Sequence, residues 1–123
     1  MYEVTIIKSF SAAHLLSEIG GKCEELHGHN FKVEVTVGSP ELNSEGILID
    51  FRLLKKWLKD ILDQMDHQHL NDLPFFKSKN PSSENIACFL YREMQSKVAD
   101  SGIKMLRVKV WESETAAVTY RGD

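Results

Sequence analysis

The chain has 123 residues, of which 42% are hydrophobic and 27% are charged, a composition typical of a globular domain rather than of a disordered or fibrous protein. We therefore expect residues 1–123 to form one domain around a single modest core. The net charge is −3 and the sequence has no basic run, which argues against a nucleic-acid partner.

The sequence also argues against a membrane partner and favours a cytoplasmic location. No apolar stretch approaches the roughly 20 residues that cross a bilayer, and the N-terminal residues MYEVTIIKSF lack the pattern of a signal peptide. In a reducing compartment the two cysteines, Cys23 and Cys88, would remain thiols.

Two strands are predicted first along the chain. Residues 2–10 and residues 31–37 alternate in polarity with a period of two, so each strand has one face toward a core. Residues 15–26 connect them. If the two strands pair as a hairpin, the residues that flank this connection lie side by side, and His14 comes close to His27 and His29.

Two helices follow. The first is predicted after Asp50, a plausible N-cap, and continues for about four turns. The second begins after Pro81 and ends near Gly102. Apolar residues at helical spacing predict their core faces: Phe51, Leu54, Leu58, Ile61, Leu62 and Met65 in the first helix, and Ile86, Phe89 or Leu90, Met94 and Val98 in the second.

Two further strands complete the chain. Leu106, Val108 and Val110 alternate with polar or amphipathic neighbours, and AAVTYRG forms the last strand. The order predicts an α+β fold: a four-stranded antiparallel sheet, with two helices inserted between strands 2 and 3 and packed on one face. Unpaired edge strands in so small a sheet favour oligomerisation.

The nine residues KCEELHGHN, 22–30, concentrate groups with chemical function. In extended chain His27 and His29 point to the same face, and Gly28 leaves the opposite side uncrowded. With His14 they predict three imidazole ligands and an open position, the arrangement of a catalytic zinc site. Two alternatives remain open: histidines that merely line a sheet, or a structural site that Cys23 closes.

A second cluster lies where the first helix ends, at Asp66-His67-Gln68-His69. Asp66 can orient the ring of His67 and raise its basicity, as a general base requires. A nearby base can in turn activate the thiol of Cys23, which predicts a Cys23–His67–Asp66 proton relay. The alternative is a histidine-rich helix end that is favourable to the helix dipole. Cys88 lies within the second helix and is assigned to packing.

Glu112 stands at the end of the third predicted strand, in WESET. A carboxylate there can accept two parallel hydrogen bonds from an amidine-like edge, the donor pattern of a guanine or pterin ring. The alternative is a solvated side chain.

Taken together, these motifs resemble the 6-pyruvoyltetrahydropterin synthase and 6-carboxytetrahydropterin synthase family nearly end to end. The resemblance rests on the following motifs: SAAH with His14, Cys23-x3-His27-Gly28-His29-Asn30, ILIDF, LDQMDHQHLND, NPSSEN, WESET and YRGD.

The resemblance implies the tunnelling fold (T-fold), in which subunits of this kind trimerise into a barrel and two barrels stack into a homohexamer. It also implies roles for individual residues: His14, His27 and His29 as Zn²⁺ ligands, Cys23, Asp66 and His67 as the acid/base group, Glu112 as the anchor of the pterin ring, and Ser83, with Ser82, as substrate contacts.

Spacing within the motif points to one branch of the family. Three residues between Cys23 and His27 resemble the bacterial 6-carboxytetrahydropterin synthases of the queuosine pathway. The implied activity is that of a zinc-dependent carbon–oxygen lyase, which converts 7,8-dihydroneopterin triphosphate to 6-carboxy-5,6,7,8-tetrahydropterin, acetaldehyde and triphosphate.

Two alternatives to that function remain. Glu24-x2-His27-Gly28-His29 is similar to a third branch, in which a glutamate takes the place of the cysteine and the product is the folate precursor 6-hydroxymethyl-7,8-dihydropterin. Because the chain carries both signatures, this activity is implied either alone or beside the first. Adjacent residues of an extended segment face opposite ways, so Cys23 and Glu24 are not expected to reach the substrate together. The other alternative is a non-enzymatic module that binds zinc or pterin.

Overall fold

The computed structural model describes residues 1–14, 16 and 27–123. In these residues five strands and two α-helices form an α+β fold, which confirms the predicted class. The strands are β1 (Tyr2–His14), β2 (His27–Ser39), β3 (Gln68–His69), β4 (Lys104–Trp111) and β5 (Ala117–Tyr120), and the helices are α1 (Phe51–Leu62) and α2 (Ser83–Val98).

The sheet has the order β3-β1-β2-β4-β5. All neighbours pair antiparallel except β3, which runs parallel to β1 and pairs with Ala12 and Ala13. The prediction of four antiparallel strands is therefore wrong in this detail. A two-residue strand is too short to show a period of two in the sequence.

The core lies between the helical layer and one face of the sheet. The inward face predicted for β2 is confirmed, because its apolar residues are fully buried, although Thr36 on the opposite face is buried as well. Both helices contribute apolar side chains to the same cluster. The largest fully buried apolar side chains are those of Phe31, Leu54, Leu58, Ile61, Met65, Leu70, Ile86, Leu90, Met94, Val33 and Val35. Each such side chain contributes about 1.5–3 kcal/mol relative to an exposed one.

Both helices begin at side-chain caps. The carboxylate of Asp50 accepts a hydrogen bond from the backbone N–H of Arg52, and the hydroxyl of Ser82 accepts one from Asn85. The chain leaves the second helix through a short 3-10 turn that ends at Gly102, whose φ of 79° is in the left-handed region that glycine adopts without strain. The predicted helix boundaries are thus confirmed to within a few residues.

Two predicted core residues lie elsewhere. Phe51 is 59% exposed, because the first turn of α1 lies at the rim of the sheet, where Phe51 lines a shallow pocket with Ile7 and Lys55. A register shift between Thr36 and Val37 displaces the pairing of β2 with β4 by one residue, so Met105 is buried while Leu106 is only half-buried.

The strands of the first hairpin extend further than the sequence pattern indicates. They pair continuously from Tyr2–Ser39 to His14–His27. This extension carries three histidine positions into the sheet.

No helix in the described ranges is long and apolar enough to cross a membrane.

Candidate metal centre and active site

The end of the β1–β2 hairpin brings the histidine positions together. His14 pairs with His27, and Ala12 pairs with His29. Because paired residues of an antiparallel sheet share a face, positions 14, 27 and 29 lie on the same face. For His27 the structure describes the backbone alone, so its predicted role as a ligand rests on this register.

The ring of His14 is fully buried and held in one orientation. Its Nδ1 lies 2.7 Å from the carbonyl oxygen of Pro81, the residue before the N-cap of α2. A carbonyl oxygen only accepts, so Nδ1 carries the proton, and in the neutral ring Nε2 presents a lone pair. Histidines that bind metals are oriented by such a hydrogen bond at the other ring nitrogen.

The ring of His29 packs against that of His14 edge to face, with ring centres 5.1 Å apart. Phe31 lies beneath both rings, with its centre 5.4 Å from that of His14 and 5.7 Å from that of His29. Phe31 is itself fully buried and stacks on Phe10. The buried ring of Phe31 therefore packs against both imidazoles and restricts their movement.

Glu112 follows the last residue of β4, and its carboxylate reaches both rings. Oε1 lies 3.2 Å from Nε2 of His14 and 3.6 Å from Nε2 of His29. The three ligand atoms all lie within 4.8 Å of one another. Lone pairs of imidazole and carboxylate repel each other unless a proton or a cation lies between them, so this donor set fits a bound cation.

The second predicted cluster is attached to β1 through the backbone of Ser11. The N–H of Ser11 donates to Oδ1 of Asp66 at 2.9 Å, and the N–H of His67 donates to the carbonyl of Ser11 at 2.5 Å. The same Oδ1 lies 3.2 Å from Nδ1 of His67. Ser11 thus fixes both residues, a function that no feature of the sequence indicates.

The Asp66–His67 pair has two physical marks of a specialised site. The bond from Ser11, and to a lesser extent the neighbouring His67, hold the pKa of the Asp66 carboxyl below its ordinary value. His67 has a φ of 57°, in the left-handed region, which costs a residue with a Cβ about 1–2 kcal/mol. Its ring is 80% exposed and thus accessible to a ligand.

An open pocket of about 440 Å³ reaches one histidine of each cluster. Its wall contains His29 and His67, together with Asn30 and His69. The side chain of Asn30 accepts a hydrogen bond from the hydroxyl of Ser11. The structure therefore places the predicted metal ligand His29 and the predicted base His67 on one cavity, which is large enough for a small molecule.

The structure describes some of the remaining predicted residues and not others. Ser83 is buried at the first position of α2, and its Oγ has no hydrogen-bond partner within the described structure. Ser82 uses its oxygen as the N-cap. Cys23 and Glu24 lie outside the described residues. Cys88 is a half-buried thiol in α2, in keeping with packing.

Comparison with known proteins identifies the family. The family model described as 6-pyruvoyl tetrahydropterin synthase matches residues 3–123. The chain is 37% identical over 118 residues to the 6-carboxy-5,6,7,8-tetrahydropterin synthase of Synechocystis, covering 91% of this chain and 87% of the relative. It is 33% identical over 129 residues to the human 6-pyruvoyl tetrahydrobiopterin synthase, covering 94% and 88%.

The fold agrees with this identification. The solved structure of 6-pyruvoyl tetrahydropterin synthase from Caenorhabditis elegans superposes with a TM-score of 0.85 at 31% identity, covering 100% of this chain and 98% of that one. The predicted resemblance and the T-fold are thereby confirmed, and a non-enzymatic module is disfavoured. The chain therefore belongs to the 6-pyruvoyl tetrahydropterin synthase family, whose members are enzymes of the lyase type.

Proposed function

We propose that the protein is a zinc-dependent 6-carboxy-5,6,7,8-tetrahydropterin synthase that acts in queuosine biosynthesis. It converts 7,8-dihydroneopterin triphosphate to 6-carboxytetrahydropterin, acetaldehyde and triphosphate. The observation that carries the proposal is the convergence of His14, His29 and Glu112 beside a pocket that His67 also lines. The name of the Synechocystis relative and the short Cys23–His27 spacing support this branch of the family.

In this proposal His14, His27 and His29 hold the zinc ion. When bound, the ion supplies a Lewis acid that polarises the hydroxyl groups of the substrate side chain. His14 contributes a ring that needs no reorientation, because its buried position and its bond to Pro81 already direct Nε2 toward the site. An imidazole set also suits other ions, so the choice of zinc rests on the family resemblance.

The other residues bind the substrate and move protons. In this proposal Glu112 accepts hydrogen bonds from the amidine edge of the pterin and orients the ring, and Ser83 is assigned a further contact with the substrate. Asp66 keeps the ring of His67 oriented for proton transfer. Cys23 is proposed to exchange the proton on the opposite side of the substrate.

The assembly proposed is a homohexamer, a dimer of trimers. Within the described residues, β3 covers only Ala12 and Ala13 along its edge of β1. Beside the rest of that edge, Ile7 is 50% exposed and Phe51 is 59% exposed. Open backbone groups next to apolar side chains favour pairing with another subunit. The cytoplasmic location stays a prediction from the sequence.

Incubation of the zinc-loaded protein with 7,8-dihydroneopterin triphosphate tests the proposed activity. We expect 6-carboxytetrahydropterin and acetaldehyde in equal amounts by mass spectrometry, and no product after the metal has been removed with a chelator. Absence of turnover by a folded protein with a full complement of zinc would contradict the proposal.

A further inference from the structure

We propose that His69 is a phosphate-binding residue: with Asp72 it forms a second Asp–His pair, whose imidazole binds the phosphate end of the substrate. The assignment rests on the proposed function, since it needs a pterin that carries a phosphate chain. His69 has no part in the proton transfer assigned to Asp66 and His67, although it follows His67 by only two residues.

The short strand β3 fixes the backbone of His69 at the edge of the sheet. His69 pairs with Ala13 of β1, and Ala13 pairs in turn with Gly28 of β2. The next residue along the chain, Leu70, is fully buried in the core. The strand pairing and the buried neighbour together hold the Cα of His69, so its ring has a defined place in the wall of the pocket.

The imidazole of His69 has a buried nitrogen that lacks a partner. Its Nδ1 is buried and accepts or donates no hydrogen bond within the described structure. The carboxylate oxygen Oδ2 of Asp72 lies 3.7 Å from this nitrogen, which is beyond hydrogen-bond distance. Buried polar atoms are nearly always paired in native structures, and those that are not paired often belong to functional sites.

The 3-10 turn that follows β3 brings Asp72 back toward His69. The turn spans Leu70–Asp72, and with three residues per turn the side chains at i and i+3 lie on the same side. The side chain of Asp72 is 77% exposed, so it can rotate into hydrogen-bond distance of Nδ1. In a protonated ring both nitrogens donate, so Nδ1 can bind Asp72 while Nε2 binds an anion.

The pocket beside His69 has room for such an anion. The side chain of His69 is 33% exposed and lines the same pocket as His67. Because Nδ1 is on the buried side of the ring, Nε2 is the nitrogen that remains for a ligand. Small residues form the adjacent wall: a side chain at Gly28 would meet only the carbonyl oxygen of Ala12, at 4.0 Å from its Cβ.

The charges along the pocket wall favour a phosphate as the ligand. The described residues that line the pocket include three imidazoles and no lysine or arginine. His29 is assigned to the metal ion and His67 to proton transfer, so His69 is the remaining group that can become cationic. A charged donor of this kind makes strong hydrogen bonds to phosphate oxygens.

The spacing of the two histidines fits the length of the substrate. In the proposed substrate the phosphate chain begins at the end of a three-carbon side chain, the part on which His67 acts. His69 follows His67 by two residues, a span of about 6.6 Å in extended chain. This span is comparable with the distance from the reacting carbons to the ester phosphate, so one substrate can contact both imidazoles.

Equilibrium binding of two oxidised pterins to the zinc-loaded protein tests the assignment. Neopterin has the ring and the side chain, and neopterin triphosphate has the phosphate chain as well. Both fluoresce, so quenching reports their dissociation constants without turnover. We expect His69→Asn to weaken binding of neopterin triphosphate by roughly 10–100-fold, the range for hydrogen bonds to charged groups, and to leave neopterin binding unchanged. Equal effects on both pterins, or on neither, would overturn the inference.

Asp72→Asn provides a second variant, in which the ring of His69 is intact. We expect it to weaken binding of neopterin triphosphate alone, by a smaller factor than His69→Asn. Loss of a negative charge by itself would strengthen binding of an anion, so stronger binding in Asp72→Asn would overturn the pair. Asp100→Asn removes the same charge at an exposed position outside the pocket and should change neither dissociation constant. Circular dichroism of each variant separates loss of a contact from loss of the fold.

Steady-state kinetics separates this inference from the proposed function. We expect His69→Asn to raise KM for 7,8-dihydroneopterin triphosphate with little change in kcat, because a contact made equally in the ground state and the transition state affects KM alone. Turnover with an unchanged KM in His69→Asn would overturn the inference and leave the function intact. Selective loss of neopterin triphosphate binding in a protein without turnover would contradict only the proposed function.

Discussion

The Nδ1 atom of His14 and the carbonyl oxygen of Pro81 lie 2.7 Å apart, although 67 residues separate them in the chain. This contact joins the end of β1 to the start of α2 and sets the tautomer of the imidazole. Because Nε2 of the same residue lies 3.2 Å from Oε1 of Glu112, the candidate metal site connects β1, α2 and the turn after β4.

Replacement of His14 by alanine should remove the metal. The variant lacks the most rigidly held of the proposed ligands, so we expect zinc content by mass spectrometry to fall from an equimolar amount to background. His69→Ala is the matched control: His69 lines the pocket beside the candidate metal site but is not part of the group formed by His14, His29 and Glu112, so this variant should retain zinc. Full zinc occupancy in His14→Ala would contradict the assignment of the site.

Asp66→Asn should change how the free energy of unfolding depends on pH. The bond from Ser11 lowers the pKa of the folded carboxyl below its ordinary value of 3.8. Because the pKa is lower in the folded state, the ionised Asp66 carboxylate contributes fully to the free energy of unfolding at pH values well above 3.8. That contribution is lost as the pH falls through the folded pKa. We expect the wild type to exceed Asp66→Asn in free energy of unfolding at neutral pH, with the difference shrinking in acid.

Urea denaturation at a series of pH values measures this difference. Asp100→Asn, at an exposed carboxylate in the turn after α2, serves as the control and should leave the pH dependence close to that of the wild type. A gap between wild type and Asp66→Asn that stays constant from neutral pH to below 3.8 would rule out the predicted linkage.

His67→Gly should keep or raise stability while it abolishes turnover. Glycine removes about 1–2 kcal/mol of left-handed strain, and its extra freedom in the unfolded chain offsets about 0.4–1 kcal/mol. We expect a net gain of between about 0 and about 1.6 kcal/mol in the free energy of unfolding. Gln68→Gly, in the neighbouring strand residue, should instead be destabilised. Clear destabilisation of His67→Gly would show that φ of 57° is not strained here.

Separate replacement of Cys23 and Glu24 by alanine should show which of the two expected products each residue supports. We expect Cys23→Ala to lose formation of 6-carboxytetrahydropterin while it retains zinc, since Cys23 is proposed as a proton carrier rather than as a ligand. If Glu24 supports release of 6-hydroxymethyl-7,8-dihydropterin, Glu24→Ala should lose that product alone. An unchanged product profile in Glu24→Ala would refute the folate role.

Much of the fold follows from local patterns. The alternation of Phe31, Val33, Val35 and Val37 correctly predicts a strand with one buried face, and helical spacing from Leu54 to Leu62 correctly predicts α1. Both patterns depend on neighbours within a few residues, so periodicity alone reveals them. Phe51 has the same spacing but is exposed, because the pattern carries no information about where the sheet ends.

The sequence also predicts the residue types of the site, but it does not predict how they are arranged. Imidazole, thiol and carboxylate groups in the motifs indicate metal and proton chemistry, since few other side chains supply such ligands and bases. No sequence pattern near these residues indicates that the backbone of Ser11 binds Asp66 or that the carbonyl of Pro81 orients His14. The same is true of the approach of Glu112 to two imidazole rings. Backbone groups are the same at every residue, so only register and packing decide which of them meet a functional side chain.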